Sequence, residues 1–259
     1  MVFSSNSALG LRPAEHQRLT PGRCARDEPA ATENAQPLSC DAMSLTPAAI
    51  NAIDPSLIVR DPAAMLVRLR AQWHQLTRDQ PAARRELWVF GYASLIWRPE
   101  FKAAERRAAQ VHGWHRSFRM RSRVNRGNAE VPGLVFALMP GGSCHGVVYR
   151  LHSARADDEL DRLWAREMPT GVYDPRWLAC RTTQGTVPAL AFTLSRRSES
   201  FMGPIDDTKM LHILRHASGR YGRTLDYLAD TARSLREHGL RDCEIERLMR
   251  LAQAHELLP

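Results

Sequence analysis

The chain has 259 residues, 44% of them apolar and 25% charged, with a formal net charge of +8. That length and balance allow one large domain or two small ones with a core of useful size, and no run approaches the roughly 18 apolar residues of a membrane-spanning helix. The cysteines Cys24, Cys40, Cys144, Cys180 and Cys243 are odd in number and lack CxxC spacing, which argues against a disulfide framework or a zinc ribbon and fits a reducing cytosol.

Residues 1–43 are rich in Ser, Pro, Ala and charge and show no periodicity. The expectation is a disordered N-terminal extension followed by one domain over 44–259. The extension lacks the apolar h-region of a signal peptide, its acidic residues argue against a transit peptide, and Met43 offers a later start. Asp61-Pro62 reads as an N-cap and first helical residue, ahead of a stripe of Met65, Leu66, Leu69, Trp73 and Leu76. Leu87 to Tyr92 reads as a buried strand. The segment "VHGWHRSFRMRSRV" alternates as another, with Arg119, Arg121 and Arg123 on one face and Phe118 and Met120 on the other. Leu134–Met139 and Gly146–Leu151 flank "PGGS" as a hairpin, and Trp177–Thr182 and Ala189–Leu194 make a second. Between them "SARADDELDRLWAREMP" is a helix stopped by Pro169. Three helices close the chain, after Asp206-Asp207, after Thr224 and after Asp242, with Gly239 as the residue beyond the middle one. Antiparallel-capable strands with inserted and appended helices make the fold class α+β.

In "WVFGYASLIW" a glycine, an alanine and a serine (Gly91, Ala93, Ser94) interrupt an apolar decamer. A strand ending in a loop that holds something small explains them; a plain core strand does not. Glu167 falls seven residues after Leu160, on the buried stripe of Leu160, Leu163 and Trp164. It also lies in the last helical turn, where burial and the helix dipole both raise a carboxylate pKa and make it a better base; the alternative is that the helix frays before Pro169 and Glu167 faces water. Asp157, Asp158, Glu159 and Asp161 read as first-turn or solvent-face acids. Ser94 lacks a G-x-S-x-G setting and reads as a hydrogen-bonding turn residue. His212 and His216 are spaced i, i+4 but lack the HExxH glutamate and a third ligand, so no metal is expected. The loop at 91–95 matches no nucleotide-binding fingerprint. The positive charge suits nucleic acid, an anionic small molecule or simply an arginine-rich composition. The arginine-bearing strand lacks the exposed aromatics of a stacking platform, so it reads as a solvated edge rather than a nucleic-acid surface.

From Leu87 to about Leu248 the chain resembles the ChaC family, the glutathione-specific γ-glutamylcyclotransferases. The resemblance is carried in order by "WVFGYASLIWRPEF", "RSRVNRGNAEVPGLVFAL", "GGSCHGVVYRL", "LWAREMPTGVYDPRWL" and "YLADTARSLREHGLRDCEIERL". Ala93 stands where the family has glycine, which costs about 1 kcal/mol if that position needs a positive φ. Asn128-Ala129 replaces the usual Thr-Pro. The resemblance implies a γ-glutamylcyclotransferase-like mixed β-barrel with inserted and C-terminal helices. It implies a cytoplasmic enzyme without cofactor or metal that converts glutathione to 5-oxoproline and Cys-Gly, with Glu167 as general base. It assigns the γ-glutamyl end to Gly91, Tyr92, Ala93, Ser94 and Leu95. Tyr149, Tyr173 and Arg121 become candidates for oxyanion donation or for the glycine carboxylate. Other γ-glutamyl amines or dipeptides, and a non-catalytic binding module, are the alternatives; the oligomeric state stays open.

Overall fold

In this computed structural model, residues 60–81 and 85–258 are described. The expected extension over 1–43, the Met43 start and the domain boundary at 44 lie outside them. The elements are α1 (Pro62–Leu76), β1 (Trp88–Gly91), α2 (Ser94–Trp97), β2 (Ala103–Ser122), β3 (Gly133–Leu151), α3 (Ala156–Glu167), β4 (Asp174–Thr182), β5 (Gly185–Thr193), α4 (Asp207–His216), β6 (Ser218–Gly219), β7 (Gly222–Arg223), α5 (Thr224–Glu237) and α6 (Cys243–Ala254).

Five strands close into a barrel in the order β1-β3-β2-β4-β5. β1 runs antiparallel to β3, with Gly91 opposite Val147, and parallel to β5, with Trp88 opposite Ala189. β4 and β5 form the expected hairpin around Thr182 and Gly185. The "PGGS" hairpin is corrected: Pro140 to Ser143 lie inside one continuous strand, β3, paired with Trp114 to His112 of β2. Gly113, Gly141 and Gly142 all have positive φ, and the register shifts between His112 and Trp114. The glycines therefore bend a long two-stranded ribbon, as bulges do at barrel corners, instead of reversing it.

Local signals set the helix ends. The Asp61 side chain accepts from the Ala63 and Ala64 amides at 2.9 and 3.2 Å. Asp206 alone caps α4, through the Lys209 amide at 2.7 Å, and Asp242 caps α6 through the Ile245 amide at 3.1 Å. Gly239 takes φ +66° just past α5. Met65, Leu69 and Trp73 of α1 pack with Leu160, Leu163 and Trp164 of α3 against Val89, Leu190 and Phe192 of the barrel; Leu76 of the expected stripe is exposed. α4, α5 and α6 share a second core with the barrel, containing Phe90, Phe118, Phe136, Leu228 and Leu248. Glu159 departs from its expected place: it is buried, 3% exposed. The arginine-bearing end of β2 is likewise not a solvated edge. The Arg119 carbonyl accepts from the Met202 amide at 2.8 Å, and the Arg121 amide donates to Ser200 at 2.8 Å, so the segment 199–203 covers it.

One charge lies deep in this frame. The Arg116 side chain is 1% exposed. Its Nε donates to the Tyr92 carbonyl, Nη1 to Asp242 Oδ2 and Nη2 to the His145 carbonyl, each at 2.5 Å. Removing one partner of a buried ion pair strands the other in a low dielectric. Arg116→Met is therefore expected to lower the unfolding free energy by about 3–5 kcal/mol. Asp242→Asn, which keeps a capping oxygen, should cost less; urea denaturation of both variants checks the order.

Candidate active site

β1 delivers the chain to the site at Gly91. A Cβ there would lie 3.1 Å from Tyr149 Cε2 and 3.2 Å from Leu95 Cβ, so the glycine lets the loop pack directly on the Tyr149 ring. The chain then turns through Tyr92 and Ala93 into the single helical turn α2. The Ile96 amide donates to the Ala93 carbonyl at 2.8 Å and the Arg98 amide to Ser94 at 2.7 Å. Ala93 has φ −146°, so the alanine needs no left-handed backbone and the conditional cost raised by its replacement of glycine does not arise. Tyr149 donates from its hydroxyl to the Ile96 carbonyl at 3.3 Å, and burial pushes its pKa up to about 12.

Glu167 is the last residue of α3, with Pro169 preventing a further turn. Its side chain is 14% exposed. Burial raises its pKa above the ordinary carboxylate range; Arg166 opposes that rise and the charge of Glu100 adds to it. Three phenols feel the Glu167 charge: Tyr92, Tyr173 and Tyr227. Each is pushed up chiefly by its own burial, so each stays a neutral hydroxyl. Tyr92 donates to the Phe192 carbonyl at 2.8 Å, and the Tyr227 hydroxyl accepts from the Phe136 amide at 3.3 Å. Arg166 joins the helix to the loop. Its Nε is 2.9 Å from Glu167 Oε1, its Nη2 donates to Ser94 Oγ at 3.4 Å, and its Nη1 donates to the Arg98 carbonyl.

The structure thus brings Glu167, Tyr173 and the loop Gly91–Leu95 together, with Tyr149 supporting the loop from behind. Arg121 stands apart. Its guanidinium donates to the Glu199 carbonyl at 3.2 Å and to Met202 Sδ at 3.5 Å. With Arg123, Lys209 and His212 it lines a pocket that includes none of the Glu167 group. A larger cavity of about 910 Å³, lined by Arg68, Gln72, Trp114, Arg176 and Trp177, also includes none of that group. The His212 and His216 rings lie with centroids 4.8 Å apart, tilted by 48° to one another, and among the described residues no three His, Cys, Asp or Glu side chains converge as a metal site.

Arg126, which the sequence did not mark, lies beside Tyr227, one of the three phenols that feel the Glu167 charge. It is 8% exposed, and its guanidinium lies 5.2 Å from the Tyr227 ring centroid and 6.0 Å from that of Trp97. Among the described residues its guanidinium makes one hydrogen bond, a long 3.5 Å contact with the Arg223 carbonyl, and has no carboxylate partner. Burial accordingly lowers its pKa. The loop behind it is closely packed: a Cβ on Gly127 would fall 2.0 Å from the Gly133 amide nitrogen, and one on Gly133 2.2 Å from the Arg126 carbonyl. Asn128 closes that loop by accepting from the Glu130 and Val131 amides at 3.0 and 2.7 Å, an Asx turn in place of the expected Thr-Pro. The "RGNAEVPG" segment was the available signal for Arg126. Arg166 and Glu100 had none, because their roles arise from pairing through space.

A family model described as "ChaC-like protein" matches residues 87–255. The chain is 36% identical over 157 residues to an Escherichia coli protein named glutathione-specific gamma-glutamylcyclotransferase, covering 60% of this chain and 68% of that one. It is 29% identical over 147 residues to the human glutathione-specific gamma-glutamylcyclotransferase 1, covering 55% and 66%; the alignments therefore span about two thirds of these relatives. A crystal structure of a glutathione-specific enzyme of this type from yeast superposes with TM-score 0.59 at 21% identity, over 65% of this chain and 96% of that one, and supports the fold.

Because burial raises the Glu167 pKa in the folded protein, the folded state holds that proton more tightly than the unfolded one. Its contribution to stability is full below the unfolded value of about 4.3 and is lost as the pH rises through the raised folded value. Glu167→Gln is thus expected to melt at or above the wild-type temperature at pH 7.5, with the difference shrinking toward pH 4. Thermal melts across that range check the sign.

Proposed function

The chain belongs to the ChaC-like protein family, and we propose that it degrades glutathione by intramolecular cyclisation, releasing 5-oxoproline and Cys-Gly. The observation that carries this reading is a largely buried carboxylate joined to a small-residue loop through one guanidinium. The substrate's α-amine attacks its own side-chain amide carbonyl, closing a five-membered lactam. The new C–N bond replaces the one to cysteine, so the proton leaving the ammonium ends on the departing amine and no external reactant is consumed.

Glu167 binds the α-ammonium, takes its proton and returns it to the leaving nitrogen. The raised proton affinity serves both halves of that transfer. Ser94 and Leu95 open the helical turn, where backbone amides lack helical acceptors, and there they receive the α-carboxylate. Tyr173, kept protonated by burial, donates to the oxyanion of the tetrahedral intermediate. Because the reacting atoms are already tethered, holding the substrate in the closing conformer supplies much of the acceleration. Arg126 supplies a desolvated cation for the carboxylate at the far end of glutathione, and this distinguishes glutathione from γ-glutamyl amines that lack one. The three described cysteines are free thiols, which suits a reducing compartment such as the cytoplasm.

Purified protein incubated with glutathione should release 5-oxoproline and Cys-Gly in equal amounts, and Glu167→Gln should lower kcat/KM by about 10²–10⁴-fold. A folded wild type that releases neither product would overturn the reading. Arg126→Met should raise KM for glutathione roughly tenfold, the loss of one charge-assisted contact, while leaving turnover of γ-glutamylmethylamide nearly unchanged. Steady-state kinetics on the two substrates read that difference.

A further inference from the structure

The turn after α2 holds a glutamate in a conformation that glutamate rarely takes. Glu100 has φ +58°, the left-handed region in which Cβ crowds the backbone. Both of its carboxylate oxygens are engaged: Oε1 is 2.5 Å from Arg98 Nε and Oε2 is 3.3 Å from Arg166 Nη1. Arg166 in turn sets Nε 2.9 Å from Glu167 Oε1. Arg98, Glu100, Arg166 and Glu167 therefore form a ladder of alternating charge, partly open to solvent at Arg98 and enclosed at Glu167.

A guanidinium shared by two carboxylates stabilises neither as fully as it would stabilise one. The other titratable groups acting around Glu167 are phenols: Tyr92 from the end of β1, Tyr173 from the segment before β4, and Tyr227 from α5. Burial keeps all three neutral, so the charges that act on Glu167 among the described residues are those of Arg166 and Glu100. An undivided Arg166 would hold Glu167 as a tightly paired carboxylate, ionised at neutral pH but too weak a base to take a proton from an ammonium.

We infer that Glu100 is a positioning residue that keeps Glu167 basic, by drawing on the guanidinium that Glu167 would otherwise hold alone and by facing Glu167 with a like charge. The inference rests on Glu167 being the base of the proposed reaction and deepens that reading. It explains why a left-handed position carries glutamate and not glycine: the backbone strain at Glu100 is maintained by the two ion pairs it makes possible. It also requires opposite effects from adjacent rungs. Removing Glu100 takes away a repulsion and frees Arg166 for Glu167, and both changes lower the proton affinity of Glu167. Removing Arg166 raises it.

The test is the pH dependence of 5-oxoproline release between pH 4 and 9, with the Glu167 carboxyl followed in parallel by NMR titration of protein carrying ¹³C-labelled glutamate. Glu100→Gln should move both the acidic limb of kcat/KM and the NMR midpoint downward by roughly one pH unit. Glu100→Gly, which also accepts the left-handed φ, should give the same shift with no loss of melting temperature. Arg166→Gln should move both upward. Unchanged midpoints in the two Glu100 variants, with only activity or melting temperature altered, would make Glu100 a structural turn residue and overturn the inference. A wild type that releases no product at any pH would overturn the proposed reaction instead, and the NMR midpoints would still decide the ladder.

Discussion

Placing a full positive charge behind the wall of a small barrel costs several kcal/mol of lost hydration. At Arg116 that cost is offset on three sides by the Tyr92 carbonyl, the His145 carbonyl and the Asp242 carboxylate. Each acceptor belongs to a different element: the loop after β1, strand β3 and the cap of α6. A second acid from the same helical turn, Glu244, accepts from the Phe118 amide at 3.2 Å. The C-terminal helix is thereby tied to β2 at two points, and through Arg116 it fixes where the loop Tyr92–Leu95 begins. A helix distant in sequence thus sets the geometry of a loop it does not line.

The electrostatics of the site follow from one cause, exclusion of water. Burial raises the proton affinity of Glu167 and of the phenols Tyr92, Tyr173 and Tyr227 together. A carboxylate becomes a usable base while the hydroxyls beside it remain donors at the same pH. Arg166 limits how far this goes and keeps Glu167 ionisable. The same exclusion leaves Arg126 desolvated above Tyr227, with no carboxylate partner among the described residues. Charge placed in this way is poor for folding and useful for binding, which is the usual trade at a functional site.

What could be read from the sequence was short-range. Asp61, Asp206, Asp242 and Gly239 act on amides or carbonyls a few residues away, and Glu167 stood out because helical spacing alone put an acid on an apolar stripe. The first half of β2, Ala103 to Gln110, was not legible, since alanines, arginines and glutamate are weak strand formers that pair there only because β3 lies alongside. "PGGS" misled because positive-φ glycines serve a turn and a bulge equally well. The alternation expected around Arg119 and Arg121 is interrupted by a register shift between Ser117 and Met120, and the segment 199–203 covers that edge; no local pattern announces a cover about eighty residues downstream. Arg126, Arg166 and Glu100 acquire their roles from neighbours far away in the chain.

The barrel seam has one more consequence. β2 and β3 are joined by a short connection and zip together along a long ribbon, whereas β1 meets β5 across about a hundred residues, with Trp88 opposite Ala189 and the Tyr92 hydroxyl on the Phe192 carbonyl. Contacts between distant segments carry the larger loop-closure entropy and form last. The loop Tyr92–Leu95 hangs from one side of that seam, while α3 and its Glu167 lie on the chain between its two sides. The proposed chemistry is therefore confined to the fully closed chain: a half-assembled barrel holds the ribbon but does not bring Glu167 to the loop, and any ligand that spans the two would act as a clasp that favours closure by mass action.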